Sequence, residues 1–310
     1  MNSFPRIVSL LLSGALIFAP LLPGSVRAED PVVYSDRTFF GRWSEPTVGV
    51  TTEGKPFHGP FGNQSVSLAL SHLPRHRWIK VTFDLYVAGT WDGSNPVWGP
   101  DLWSVSVHGG ERLISASLCA WGYSGNNEQS FPDDYPQAVH PAWTGVARRD
   151  VLDLKEFEPP PKNGFYKVEV LFPHLSDQLT LDFAGSYDDP PREAQVWGIG
   201  NVEASALSED IVTDANDLPG LWEDLASDDS VKANAALWQF VGAGRKAFDF
   251  IGERIGSFKE EDGRRLSEAD NLRMHRAHRI VRIIGGDGSH DLCFRMDQLS
   301  IEYARKYLGR

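Results

Sequence analysis

The run Ile79-Lys80-Val81-Thr82-Phe83-Asp84-Leu85-Tyr86-Val87 decides the fold of this chain. Ile79, Val81, Phe83, Leu85 and Val87 alternate with Lys80, Thr82 and Asp84. A two-residue period with one apolar face predicts an antiparallel strand that covers a core on one side. The same period recurs at Val66, Leu68 and Leu70, at Trp103, Val105 and Val107, at Val168 and Val170, and at Leu179, Leu181 and Phe183. Gly and Pro clusters punctuate these runs: Gly59-Pro60, Gly99-Pro100, Gly109-Gly110, Pro159-Pro160-Pro161 and Pro190-Pro191. Many strands and few helices over roughly 175 residues predict a two-sheet β-sandwich of jelly-roll or concanavalin-like type.

The period becomes helical after Leu207. Leu221, Trp222 and Leu225 share one side of a short segment opened by Leu218-Pro219-Gly220. Ser227 or Asp228 is placed to cap a second segment carrying Val231, Ala235, Leu237, Trp238 and Val241. Phe248, Ile251 and Ile255 mark a third, and Ser267-Glu268-Ala269-Asp270 reads as a capping box before Leu272, Ala277, Ile280, Val281 and Ile284. Leu292, Met296, Leu299, Tyr303 and Leu308 close the chain. The expected organisation is a sandwich over 29–206, an acidic linker over 207–217 and a smaller helical bundle over 218–310. Two separate cores would let residues 29–206 fold alone.

The N-terminus reads as a secretory signal peptide over 1–28. Arg6 supplies the positive charge, Leu10 to Phe18 a short apolar stretch, and Val26-Arg27-Ala28 a small-x-small cleavage site. The expectation is a secreted or periplasmic protein, with no later run apolar enough to span a membrane. A 41% apolar and 11% aromatic chain can build real cores. Its net charge of -12 argues against nucleic-acid or anionic-membrane partners, which demand a basic footprint. Cys119 and Cys293 fall in the strand-rich and helical parts respectively, and two buried free thiols is the preferred reading over a disulfide.

The loop after the opening strand carries the most chemistry. Trp91-Asp92-Gly93-Ser94-Asn95-Pro96-Val97-Trp98-Gly99-Pro100-Asp101-Leu102-Trp103 packs three indoles and two carboxylates among turn residues. Such a loop suits a sugar ring stacked on indole with Asp and Asn accepting its hydroxyls, a hard cation, or a plain structural corner. Eight of the ten tryptophans lie in the sandwich. Trp103 and Trp197 have strand phase and read as core. Trp91, Trp98, Trp121 and Trp143 lie near loops and, with Asp92, Asn95 and Asp101, form the candidate ligand set. Asp92 and Asp101 are the candidate calcium ligands. Asp133-Asp134 and Asp188-Asp189 read as solvated turns.

Catalytic signatures are missing from the sequence. Gly122-Tyr123-Ser124-Gly125 is one residue short of a nucleophile elbow. His275-Arg276-Ala277-His278 puts two imidazoles on one helical face without an evident third ligand, so it reads as an ordinary basic face. No phosphate loop or dinucleotide fingerprint occurs.

Two resemblances add to this. His72-Leu73-Pro74, the run Ile79 to Tyr86, Trp91-Asp92-Gly93, Trp98 to Trp103 and Trp197-Gly198-Ile199-Gly200-Asn201-Val202 resemble a lectin-like sandwich domain of secreted bacterial, planctomycete-type proteins. That resemblance implies an acidic residue, for which Glu193 stands, followed by Trp-Gly-x-Asp-Asn-Val. Gly200 here takes the place of that Asp. Leu221 to Asp228, Ala233 to Gln239, Phe248 to Ile255 and Arg276 to Gly285 are similar to a helical module of the same kind of protein, which implies packing or protein contact. The resulting expectation is a secreted, non-catalytic protein that binds carbohydrate through the sandwich loops. A glycoside hydrolase or polysaccharide lyase on the same sandwich, and a cell-envelope structural or assembly protein, are the alternatives.

Overall fold

The computed structural model describes residues 31–36, 42–120, 128–136, 139–153, 162–187, 195–208, 216–227, 229–257 and 267–307. The signal-peptide reading, Trp121, Gly122 to Gly125, Asp188-Asp189, Glu193 and much of the expected linker lie outside the described residues.

Strands come first and helices last. The strands are β1 (Val32–Ser35), β2 (Val48–Val50), β3 (Pro56–Phe61), β4 (Ser65–Ser71), β5 (Trp78–Ala88), β6 (Leu102–Val107), β7 (Arg112–Ser117), β8 (Glu128–Gln129), β9 (His140–Pro141), β10 (Val146–Arg149), β11 (Asn163–Pro173), β12 (Gln178–Ser186) and β13 (Val196–Leu207). The helices are α1 (Leu218–Asp224), α2 (Ser230–Ala243), α3 (Arg245–Ser257), α4 (Glu268–Ile284) and α5 (Ser289–Tyr307). One sheet runs β10-β11-β5-β13-β3-β2, with β1 also on β13, and a second runs β4-β12-β6-β7. Their pairings are antiparallel. The protein is a mainly β sandwich followed by a helical part, as the two periods predict.

The alternation of β5 explains the core. Ile79, Val81, Phe83, Leu85 and Val87 are buried, and across the gap stand Val66, Leu68, Leu70, Trp103, Val105, Leu181 and Phe183 from the second sheet. Phe83, Phe183, Trp103 and Trp197 meet ring to ring. The N-terminal strand is tied in by a polar network. The Tyr34 hydroxyl donates to Asp36 at 2.6 Å, Trp43 Nε1 donates to the Tyr34 oxygen at 2.9 Å, and the other Asp36 oxygen accepts the Val202 amide at 3.0 Å.

Strand β13 continues to Leu207, so Leu207 is sheet and not linker. At α2 Asp229 rather than Ser227 accepts the Lys232 amide, while the Ser227 hydroxyl takes that of Asp229; Asp228, the other expected cap, lies outside the described residues. Ser267 caps α4 through the Asp270 amide, as its spacing predicts.

The change of element at Leu207 does not separate two cores. One continuous apolar cluster contains the sandwich interior together with Leu221, Trp222, Leu237, Trp238, Phe240, Ile251, Met274, Ile280 and Val281. Helices α2 and α4 pack against β11, and Trp78 lies under Gly244 at the α2–α3 junction. The arginines of α4 make the polar half of this junction. Arg276 donates through Nε and Nη2 to both oxygens of Asp133, each at 2.9 Å. Arg279 donates to the Leu113 carbonyl at 2.9 Å and the Pro132 carbonyl at 3.2 Å, and Arg282 to the Arg112 carbonyl at 2.9 Å. The outer edge of β7 is covered jointly by these arginines and by the 130–135 segment, whose Ser130, Phe131, Asp134 and Tyr135 bond Ser115 and Ser117, which removes a template for strand pairing with another chain. Two expectations are corrected here. Asp133-Asp134 is no solvated turn, since both side chains are buried against α4. The basic face of α4 is not a solvated face, because Arg273, Arg276 and Arg279 are buried.

Candidate functional site

The 91–103 loop closes the end of the sandwich between β5 and β6. Its candidate ligands separate into inside and outside. Trp91 is fully buried, with its Nε1 donating to the Val196 carbonyl at 3.1 Å and its ring edge-on to Tyr187. A sugar cannot stack on it, so the ligand reading of Trp91 is corrected to core. Asp101 is 1% exposed, and one of its oxygens accepts the Asp92 amide at 2.5 Å. Asn95 is also buried, and its Oδ1 accepts the amides of Val97 at 2.8 Å and Trp98 at 3.2 Å. This is the turn-forming use of Asn that competes with ligand binding. Gly93 has φ +67, and a Cβ there would come 2.0 Å from the Glu128 carbonyl oxygen. The close approach lets Ser94 donate its amide to that same oxygen at 2.9 Å.

The cation reading therefore loses its geometry. Asp101 points inward to the backbone, Asp92 pairs as a bridge with Cys119, and among the described residues no cluster of three or more His, Cys, Asp or Glu could hold a metal. Calcium fits the residues present poorly. The expected result is that Asp101→Asn, which keeps one oxygen for the Asp92 amide but replaces the second acceptor oxygen with a donor and removes the charge, costs about 1–3 kcal/mol. Thermal melting with chelator and with millimolar calcium checks it: an equal loss under both conditions marks a turn residue, and a loss confined to calcium would mark a cation ligand.

Trp143 is likewise internal. It stacks on Tyr166 with planes 9° apart, its backbone amide donates to Gln129 Oε1 at 3.0 Å, and Arg149 lies 4.8 Å over its ring. Its ligand reading is corrected to a packed corner capped by a cation–π contact. What the loop leaves outside is its tip, with Val97 73% and Trp98 48% exposed. Val139, beside the short β8–β9 ladder that the loop grips through Glu128, is exposed too.

The position where the resemblance expects Asp is explained by packing. A Cβ on Gly200 would sit 3.1 Å from both Phe57 Cβ and Tyr86 Cε2. Its cross-strand neighbour is Asp84, whose carboxylate accepts from the Asn201 side chain. Burial pushes the Asp84 carboxyl up, and the Asn201 bond opposes this in part. Elsewhere, on the second sheet, Asp182 accepts from the Ser67 hydroxyl at 2.6 Å and meets His108 Nδ1 at 2.7 Å. A shallow depression lined by Arg42, Trp43, Ser44, Ser67, Ala69 and Ser71 adjoins it. Cys119 and Cys293 are free thiols, the first buried and the second half-buried, and burial pushes Cys293 up to about 11. His278 meets Asp297 at 3.4 Å.

No family model matches the chain, and no curated protein matches it. Among solved structures, similarity extends to dimeric latent PorU from Porphyromonas gingivalis (11% identity, TM-score 0.31, 52% of this chain and 12% of that one). It extends to the STIV MCP (11% identity, TM-score 0.22, 58% and 51%) and to the CBM51-2 and INT domains of Clostridium perfringens ZmpB (11% identity, TM-score 0.20, 75% and 38%). The chain thus spans about an eighth to a half of the length of those chains.

Proposed function

We propose that this chain is an exported, non-catalytic binding protein that contacts carbohydrate through the Val97-Trp98 tip of the β5–β6 loop. The observation that carries the reading is the division of labour within that loop. Asp101, Asn95, Gly93 and Trp91 hold it from inside, and a half-exposed indole is what they hold up. An indole face presented by a rigid turn stacks on the apolar face of a pyranose with little ordering cost at the moment of binding. The buried carboxylates do not compete for a catalytic role, because Asp36, Asp84, Asp101, Asp133 and Asp134 are engaged in holding backbone, Asn, Tyr or Arg partners. Export is supported by the signal-like N-terminus, and the bracing of the sandwich by α2 and α4 gives the helical part a packing role.

The test is Trp98→Ala. Its half-exposed indole predicts a stability loss below about 1 kcal/mol, as for surface positions, together with loss of glycan binding. A glycan array and thermal melting of parent and variant check both. A parent that binds no glycan, or a variant that binds as well as the parent, overturns the reading.

A further inference from the structure

At the opposite end of the same strand, two histidines face each other. His76 lies on the connection from β4 to β5 and His174 on the turn from β11 to β12, 98 residues apart in sequence. Their rings lie 10° from parallel, and His76 Nε2 is 2.7 Å from His174 Nδ1. The other nitrogen of His76, Nδ1, is 2.6 Å from the Pro74 carbonyl oxygen. A carbonyl only accepts, so Nδ1 of His76 carries its proton, Nε2 is an acceptor, and His174 Nδ1 donates to it. Phe172 closes the site edge-on to His174.

This bond locks two connections that each pass between the sheets. Around it the Leu73 amide donates to the Asp177 carbonyl at 3.0 Å, and the His174 amide to the Arg77 carbonyl at 2.9 Å. The Arg77 amide donates to the Leu207 carbonyl at 2.8 Å, at the point where β13 ends and the chain leaves for the helices.

We propose that the His76–His174 pair is an acid-opened latch on this end of the sandwich. The pair accommodates one added proton, on the outer nitrogen of His174, with the inter-ring bond intact. A second can bind only at His76 Nε2, the atom that accepts that bond, and would set two N–H groups and two positive charges face to face. Burial and the neighbouring His76 ring both hold the His174 imidazole below the usual histidine range, and the Gln178 backbone opposes this in part. The charged side chains flanking the pair are exposed: Arg75 and Arg77 on the first connection, and Asp177 on the second. Among the described residues no carboxylate bonds either ring. A group held below its unfolded value contributes stability above that value, about 6.5 for histidine, and loses it as pH falls through the folded value. The first proton, on His174, therefore destabilises the folded chain as pH falls below about 6.5 but leaves the inter-ring bond in place, and the latch opens on further acidification when a second proton reaches His76 Nε2.

Native-state hydrogen exchange tests this on the full chain. Between pH 7 and about pH 4.5 the protection factors of the Leu73, Arg77 and His174 amides are expected to fall about tenfold or more, while those of Val81 and Phe83 in central β5 hold. In His76→Gln, which keeps a donor for Pro74 and has no titratable ring, that selective fall is expected to vanish. Unchanged protection in the parent, or the same fall in His76→Gln, overturns the proposal. Should the variant not fold, the ring proton resonances of the parent decide. Two successive steps, each sensed by both rings, support the latch, and His174 titrating by itself as an ordinary histidine refutes it.

Discussion

Replacing Asp133 with Ala is expected to cost about 3–5 kcal/mol, because it strands a buried guanidinium without its counter-charge. Arg276 is 3% exposed and gives both Nε and Nη2 to Asp133, while His140 Nε2 lies 2.9 Å from the same carboxylate. The remaining guanidinium nitrogen bonds the carbonyls of Leu225 and Ser227 and cannot swing out to water without breaking them. Burial raises the Asp133 carboxyl, but the bonds from Arg276 and His140 outweigh it and hold it at about 2. A carboxylate depressed in this way stabilises the fold above its unfolded value near 3.9, and that contribution drains away as pH falls from there toward 2. Thermal melting at neutral pH should therefore show a drop on the order of 10 °C for Asp133→Ala. The difference between parent and variant should shrink below about pH 3. Pairing Asp133→Ala with Arg276→Met should cost less than the two single changes added together, since the double change leaves no unpaired buried charge. A strictly additive cycle would mean that the ion pair does not couple the helix to the sandwich.

The β period was the most legible feature. The apolar residues of Ile79 to Val87, Val66 to Leu70 and Leu179 to Phe183 took the inward face their alternation predicts, but Asp84 and Tyr86 on the other face of β5 are buried too, Tyr86 in a second apolar cluster with Phe57, Ala88, Val151 and Leu152. The 91–103 loop was legible as a loop but not as a site. Trp91 and Trp98 are identical residues seven positions apart, and only the path of the turn sends one into the core and the other into solvent. The same holds for Asp101, whose acidic chemistry is equally good for calcium and for a backbone amide. Asp133-Asp134 and the α4 arginines were misread for a related reason. Charges in a Pro-rich turn and on a helix face are solvated by default, and their mutual burial depends on contacts 143 residues apart. One signal was available. Arg273 and Arg276 fall on the same helix side as Ala277 and Ile280, which is where a helix meets its neighbour rather than water. The paired histidines carried no local signal at all, because His76 and His174 meet only through the pairing of β5 with β11.

A chain that stops at Leu207 is expected to lose cooperative melting, although its strand pattern alone suggests a self-sufficient domain. The missing helices contribute Trp222, Trp238, Phe240, Ile251, Ile280 and Val281 to the same apolar cluster as the sandwich interior, and cutting there bares both sides of it. Three kinds of group on the sandwich lose their partners together. Trp78 loses its cover at Gly244, the β7 edge loses the arginines bonded to Arg112 and Leu113, and Asp133 and Asp134 lose their counter-charges. The carboxylates can return to water, but the apolar cover cannot be replaced, and its loss is expected to exceed roughly 5 kcal/mol, the low end of a whole domain's stability. Near-ultraviolet circular dichroism through a thermal scan, with binding of an apolar dye, measures this. Retained strand signal with a broad transition and strong dye binding is the expected outcome. A sharp transition near that of the full chain would make the helices an appendage, and the arginine face of α4 would then have to be explained by something other than bracing the sandwich.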